Sequence, residues 1–296
     1  MTMMLSRRLA LGGLLAMPAV STVSSRVLAQ ESTSTGSKLT ELERRHPGRI
    51  CVSILDIGTG RRIEHRANER MLMCSTFKAL AAAHILKRVD EKREALDRRV
   101  VFSQQDVVRA SPGTQGRTGE PGMTIAELCD AAVTLSDNTA GNVLLASFGG
   151  PAGLTDFFRS IGDNFSRLDR IETDLNYHDN ADDIRDTTTA AAMVENLRKL
   201  VFDDVLSPAS RSQLVSWLVN NKTSDARIRA GVPRDYIVGD KTGVNGDKDG
   251  NLNDIAVLWP ANRAPIIVAA YCEIPGISAG DRNAVIAEIG KIAMQV

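Results

Sequence analysis

Three short groups of residues have types and spacings that can do chemistry together. Ser75-Thr76-Phe77-Lys78 places a hydroxyl and an amine three positions apart, which on a helix is a shared face. A serine alcohol is a poor nucleophile until a base takes its proton. A lysine driven towards neutrality by burial or nearby charge is such a base. The start of a helix adds free backbone N–H groups where an oxyanion must form. Ser136-Asp137-Asn138 falls at a helix–loop junction, and Lys241-Thr242-Gly243 at the end of a strand. Each group also has a plain structural reading: an N-cap serine with a solvated lysine, a helix cap, a strand end before a turn. All three in this order and in these contexts point to acyl transfer through a serine.

The elements that must position them follow from periodicity. Lys38 to Arg45 reads as a short helix closed by Pro47-Gly48. Arg49 to Asp56, rich in Val and Ile, reads as a strand, and Gly58-Thr59-Gly60 turns it into a second strand over Arg61 to His65. No helix follows that Gly-x-Gly, so it is a turn and not a phosphate loop. From Ser75 to about Val219 apolar residues recur at three- and four-residue spacings. Helices are predicted from Ser75, over Thr124 to Leu135 behind a Thr124/Glu127 capping box, and over Asn138 to Phe148, Pro151 to Ile161, Thr188 to Val201 and Pro208 to Asn220. Strands return at Tyr236 to Thr242, Leu252 to Trp259 and Pro265 to Cys272, and a last helix runs from Gly280 to Met294. Strands at both ends thus bracket a helical middle. The expectation is an α+β fold: an α/β domain built from residues 30–73 and 220–296, with an all-α domain over 74–219.

Composition narrows the partners. The 296 residues are roughly twice the commonest domain size. With 43% hydrophobic and 24% charged residues, the chain is neither disordered nor fibrous. Twelve aromatic residues and a formal charge of zero leave no basic stacking surface for nucleic acid. Four cysteines without a C-x-x-C pair exclude a disulfide scaffold and a zinc ribbon. The four histidines are scattered, so no metal is expected. Asn245 to Asp254 imitates a calcium loop, but its twelfth position is Ala256 where Glu is required, and a hairpin turn is the expectation.

Residues 1–29 read as an export signal: Arg7 and Arg8, an apolar stretch from Leu9 to Val20, then Val27-Leu28-Ala29 before a cleavage point. The stretch is shorter than the roughly 18–20 residues that span a bilayer. Ser6-Arg7-Arg8-Leu9 resembles a twin-arginine signal, with Ala10 where Phe is preferred, so both export routes stay open. Removing Arg7, Arg8 and Arg26 leaves 33 basic against 36 acidic residues. The mature chain is therefore a mildly acidic protein expected in the periplasm, with no membrane contact after cleavage.

With Ser75-x-x-Lys78, Ser136-Asp137-Asn138 and Lys241-Thr242-Gly243 in place, the chain resembles the class A serine β-lactamases over essentially its whole mature length. Glu172-Thr173-Asp174-Leu175-Asn176 matches that family's Glu-x-x-Leu-Asn loop, which penicillin-binding proteins lack. The resemblance implies hydrolysis of β-lactams through an acyl-serine, in a cleft between the two domains, with no cofactor and as a monomer. It implies attack by Ser75, with its proton passing to Lys78 or, through water, to Glu172. Ser136 would relay a proton to the departing nitrogen, and Glu172 with Asn176 would activate and hold the deacylating water. Asn138 would bind the substrate's side-chain amide. Lys241 and Thr242 would bind its carboxylate, and the backbone N–H groups of Ser75 and Val244 would form the oxyanion hole. Arg227 matches a position where some members reinforce carboxylate binding, whereas Arg229 reads as a solvated surface residue. Arg170 and Asp186 resemble the pair that closes the neck of the Glu172 loop. The alternatives are a peptidoglycan DD-peptidase and a β-lactam sensor that acylates and stops.

The chain departs from its relatives in places. Thr173 stands where many have Pro, and Ala110 lies where many have an aromatic residue at the cleft entrance. Cys74 resembles carbapenem-hydrolysing relatives, but Val244-Asn245-Gly246 replaces their partner cysteine, so Cys74 and Cys129 are expected free and buried. Cys51 and Cys272 lie on strands that the family fold makes neighbours, which leaves a bridge between them open. Met71 and Met73 are expected in the core.

Overall fold

The computed structural model describes residues 36–180, 182–245 and 250–296. The export signal and the tip of the calcium-loop mimic lie outside the described residues. Five antiparallel strands form the main sheet in the order β2-β1-β9-β8-β7: β1 Arg49–Asp56, β2 Arg62–His65, β7 Ile237–Val244, β8 Asn251–Trp259 and β9 Ile266–Glu273. The first strands of the chain thus pair directly with the last.

Alternation along these strands feeds two separate cores, one on each face of the sheet. Ile50, Val52, Ile54, Val268, Ala270 and Cys272 pack with Leu39 and Leu42 of helix α1 (36–44) and with Ile286 and Ile289 of α9 (Ala279–Ala293). Cys51, Leu55, Ile255, Val257, Ala269 and Tyr271 face the other way, into the core of α2 (Phe77–Asp90), α3 (Ile125–Thr134), α4 (Asn138–Ala146), α5 (Gly150–Ser160), α6 (Ala190–Val201) and α7 (Pro208–Val219). A short helix, α8 (Ile228–Gly231), packs on α9. Helices on both faces of an antiparallel sheet make the fold α+β, as expected.

The register decides the cysteines. Cys272 stands opposite Ile50, and Cys51 opposite Tyr271, so the two thiols project from opposite faces of adjacent strands. All four cysteines are free and buried. Met71 and Met73 are fully buried in the helical core.

Four two-residue strands carry no periodic signal and were not anticipated. β3 (Met71–Leu72) pairs with β6 (Thr187–Thr188), and β4 (Arg99–Val100) with β5 (Met123–Thr124). The Thr124/Glu127 capping box forms as expected, each side chain bonding the other's backbone N–H.

Candidate active site

Ser75 does not sit inside the first long helix. It lies in a 3-10 turn, Cys74–Thr76, that feeds directly into α2, and Cys74 enters it at φ 45°. Lys78, one residue into α2, is fully buried, and its Nζ donates to Ser75 Oγ at 2.8 Å. The same amine lies 2.9 Å from the Ser136 carbonyl, 2.6 Å from Asn138 Oδ1 and 2.9 Å from Glu172 Oε1. Four acceptors surround three ammonium donors. Burial pushes the Lys78 amine below the ordinary lysine range, and the Glu172 charge opposes that shift. Room for this side chain depends on Gly141, where a Cβ would stand 3.0 Å from Lys78 Cε.

Glu172 is buried, and its two oxygens face different partners. Oε1 accepts from Ser75 Oγ at 3.2 Å, and Oε2 accepts from Asn176 Nδ2 at 2.6 Å. The peptide joining Glu172 to Thr173 is cis despite the absence of proline. The loop that carries these residues is closed at its neck by Arg170 and Asp186. Arg170 Nε donates to Asp186 Oδ2 at 2.6 Å, and the N–H groups of Asp169 and Arg170 both donate to Asp186 Oδ1. Because Met73 N–H donates to the Asp186 carbonyl, the neck is also tied to the segment leading to Ser75.

The strand side of the site is β7. Its ladder runs two residues past the predicted end at Thr242, since Gly243 and Val244 pair with Asn253 and Leu252. Gly243 is required there: a Cβ would stand 2.9 Å from the Met73 carbonyl and 3.2 Å from Cys74 Cβ. Its absence lets the strand lie against the turn that carries Ser75. The Asn245 N–H bonds Asn251 across the ladder. Alternation then turns the Val244 N–H away from β8, to the free edge of the sheet. Val244 is half exposed and lines the cleft.

Lys241 Nζ donates to Ser136 Oγ at 3.0 Å and to the Thr242 carbonyl at 2.8 Å. Burial, together with repulsion from Lys78 and Arg227, holds its amine well below the ordinary lysine range. Thr242 Oγ1 pairs with Thr223 Oγ1 at 2.5 Å. Ser136 adopts φ 58°, and Ala110 and Asp186 φ 59°. Of the six described non-glycine residues at positive φ, four border this site. Each costs on the order of 1–3 kcal/mol, and such costs concentrate at functional sites.

Ser75, Ser136, Asn138, Glu172, Asn176 and Val244 line one cavity of about 660 Å³, with Arg109, Ala110, Tyr177 and Asn245 among its other walls. Arg227 stands behind this wall. Its buried guanidinium donates to the carbonyls of Gly243 and Asn253 at 3.2 and 2.9 Å, bracing β7 from the far side. Arg229 is not solvated as expected. It pairs with the buried Asp240 carboxylate and donates to the Val238 carbonyl, because a buried carboxylate needs a charge partner.

Sequence reasoning did not single out the residues that hold these groups in place. Asn142, one turn after Asn138 on α4, accepts from the Glu172 N–H and donates to the Glu172 carbonyl. Asn253 donates to the carbonyls of Leu72 and Met73. Asn245 donates to the Asn176 carbonyl. Asp137, within the Ser-Asp-Asn group, is structural: it caps α4 and accepts from Gly113, Thr114 and Ala140. The one available sequence signal was the i, i+4 spacing of Asn138 and Asn142 on one helix face.

Known proteins resemble this chain over most of its length. The model of the Beta-lactamase enzyme family matches residues 34–296. Beta-lactamase L2 of Stenotrophomonas maltophilia is 43% identical over 284 residues, covering 94% of this chain and 92% of that protein. Beta-lactamase Toho-1 of Escherichia coli is 42% identical, with 91% of each chain covered. Among solved structures, an ancestral (GNCA) class A β-lactamase is 56% identical with a TM-score of 0.85, covering 88% of this chain and 98% of that one. The putative class A β-lactamase PenP from Rhodopseudomonas palustris is 53% identical, also at 0.85. The chain therefore belongs to the β-lactamase enzyme family, as a class A serine β-lactamase.

Proposed function

We propose that this protein hydrolyses β-lactam antibiotics through an acyl-serine intermediate released by water. The observation that carries the reading is the position of Ser75 Oγ, 2.8 Å from Lys78 Nζ and 3.2 Å from Glu172 Oε1. Lys78 and Glu172 touch each other at 2.9 Å, so a proton leaving Ser75 enters a pair that shares it.

In acylation, Ser75 Oγ bonds to the lactam carbonyl carbon while its proton passes to that pair. The carbonyl oxygen becomes an oxyanion held by the N–H groups of Ser75 and Val244, each such donor being worth roughly 10²–10³ in rate. The C–N bond then breaks, and Ser136 protonates the departing nitrogen. Ser136 regains a proton from the Lys78–Glu172 pair, which frees Glu172 for the next step, while Lys241 holds the Ser136 hydroxyl by a 3.0 Å hydrogen bond. Lys241 and Thr242 bind the substrate's carboxylate, and Asn138 its side-chain amide. Arg227 acts through the Gly243 carbonyl, fixing the strand that carries this recess.

In deacylation, Glu172 takes a proton from water, the resulting hydroxide adds to the acyl carbon, and Ser75 recovers its proton as the ester breaks. Asn176 supports this step: its Nδ2 steadies Glu172, and its buried Oδ1 accepts from none of the described residues, which leaves an acceptor for that water. We further propose that the enzyme acts as a periplasmic monomer after loss of residues 1–29. Among the described residues no helix is long and apolar enough to cross a membrane. A two-domain organisation, 30–73 with 220–296 and 74–219, belongs to the same proposal, since the main sheet draws on strands from 49–65 and 237–273.

The test is turnover of excess chromogenic cephalosporin followed together with intact mass. Multiple turnovers without a lasting adduct are expected. A single stoichiometric burst with a persistent adduct identifies an acylated sensor or peptidase and overturns the reading. Glu172→Ala is expected to accumulate acyl-enzyme and lose about 10²–10⁴ in turnover, while Ser75→Ala forms no adduct.

A further inference from the structure

Val244 brings one end of β7 to the cleft, and a separate groove opens at the other end of that strand. The groove holds about 500 Å³ and shares no lining residue with the cleft. Ile237 on β7 and Trp259 on β8 stand opposite each other in the ladder and line it together. Arg211, Val215 and Val219 line it from α7, four residues apart and so in one row along the helix. That row spans roughly 12 Å at the helical rise of 1.5 Å per residue. Phe202, just past α6, adds to the apolar lining. Ile237 is exposed, and Val215, Val219, Phe202 and Trp259 are only partly buried.

Arg211 is the one charged residue among those lining the groove, and it forms no ion pair among the described residues. The acid beside Phe202, Asp203, is held by Arg198 at 2.7 Å. Arg211 Nη2 makes a single bond, of 3.3 Å, to the Leu206 carbonyl, and its Nε is shielded from solvent without a partner among the described residues. A guanidinium without a counter-charge at an apolar margin gains more from a carboxylate than one in open water does. Beyond Arg211 the groove offers little to a polar chain. Asn220 Nδ2 already donates to the Ser216 carbonyl, and Ser212 Oγ to that of Pro208. A bound peptide would leave its backbone groups unpaired there, whereas an unbranched alkyl chain has none to satisfy.

We propose that this groove is a binding site for a straight-chain fatty acid, with its carboxylate on Arg211 and its chain along Val215 and Val219 against Ile237 and Trp259. A single positive charge at one end of an elongated apolar trough matches a single negative charge at one end of an elongated apolar chain. The site is independent of the chemistry at Ser75.

The experiment is calorimetric titration of the purified protein with hexanoate, octanoate and decanoate, each below its aggregation concentration, and with decanol as the uncharged counterpart. Saturable binding at one site is expected, tightening about 2- to 4-fold per added methylene. Arg211→Gln is expected to weaken decanoate about 2- to 5-fold, the range of an exposed ion pair, and to leave decanol unchanged. Val215→Glu gives Arg211 a carboxylate one turn along the helix. It is expected to abolish decanoate binding while the melting temperature stays at the wild-type value. Absence of saturable binding, decanoate binding retained in Val215→Glu, or an Arg211→Gln loss shared equally by decanol overturns the site. Affinity that does not rise with chain length overturns it as well. So does a dimer, seen by sedimentation, that Val215→Glu dissociates, because a second copy of the chain would then fill the groove.

Discussion

The side chain of Asn142 holds the Glu172 backbone at both ends, accepting from its N–H at 2.8 Å and donating to its carbonyl at 2.9 Å. A helix residue thus places a loop carboxylate. Asn142→Ala leaves two half-buried polar groups unpaired, at a cost of about 1–3 kcal/mol each. Glu172 then loses its fixed position against water, and misplacement on the order of 1 Å can cost about 10²-fold. Deacylation is expected to slow far more than acylation, read as a retained burst followed by depressed turnover and an adduct visible by mass. Equal loss in both steps would refute this.

Gly243 is a contact residue rather than a flexible one. In Gly243→Ala the new Cβ meets the Met73 carbonyl at 2.9 Å and Asn253 Nδ2 at 3.2 Å. Since backbone must move, the expected loss is on the order of 1–3 kcal/mol of stability. Strand β7 separates from the turn that bears Ser75, so acylation rate falls as well. Thermal melts and pre-steady-state acylation measure the two effects.

His84 supplies a pH dependence. It stacks on Phe157 at 4.6 Å between centroids, its Nδ1 has no hydrogen-bond partner among the described residues, and burial with repulsion from Arg88 and Arg93 pushes its pKa down to about 4. The unfolded chain, with an ordinary histidine, takes up the proton first as pH falls. Stability is therefore intact above about pH 6.5 and is lost as pH falls towards 4. In His84→Phe this part of the decline is expected to vanish, read as a shallower fall of the urea midpoint between pH 6.5 and 4. An identical slope in both proteins would exclude His84 as its source.

The cysteine arrangement is testable by counting. Burial raises every thiol, that of Cys51 to about 12, so none ionises readily near neutrality. Native protein at pH 8 is expected to resist thiol reagents, and unfolded, unreduced protein to titrate four equivalents. Two equivalents would mean a Cys51–Cys272 bridge, contrary to their placement on opposite faces of the sheet.

Much of this protein is written locally. The period-two strands at both ends, the period-3.6 helices between them and the Thr124 cap all depend on residues within a few positions of one another. The chemical groups Ser75/Lys78, Ser136/Asn138, Glu172/Asn176 and Lys241/Thr242 were legible because each is a short run with a reactive spacing. Other features were not legible from one chain: the two-residue ladders, the ion pair of Arg229 with Asp240, and the asparagines at 142, 245 and 253 that bind backbone from distant segments.

Sequence alone determined which residue types are present to attack, to accept protons and to bind an anion. Tertiary structure decided that Lys78 and Glu172 reach Ser75 together, that Gly243 brings the strand edge against its turn, and that Arg109 faces Tyr177 across the mouth. The physical reason is that local propensity and spacing act over a few residues. Burial, matched charge and close approach are set by segments about 100 residues apart, as with Ser75 and Glu172, and exist only once the sheet and helices have packed.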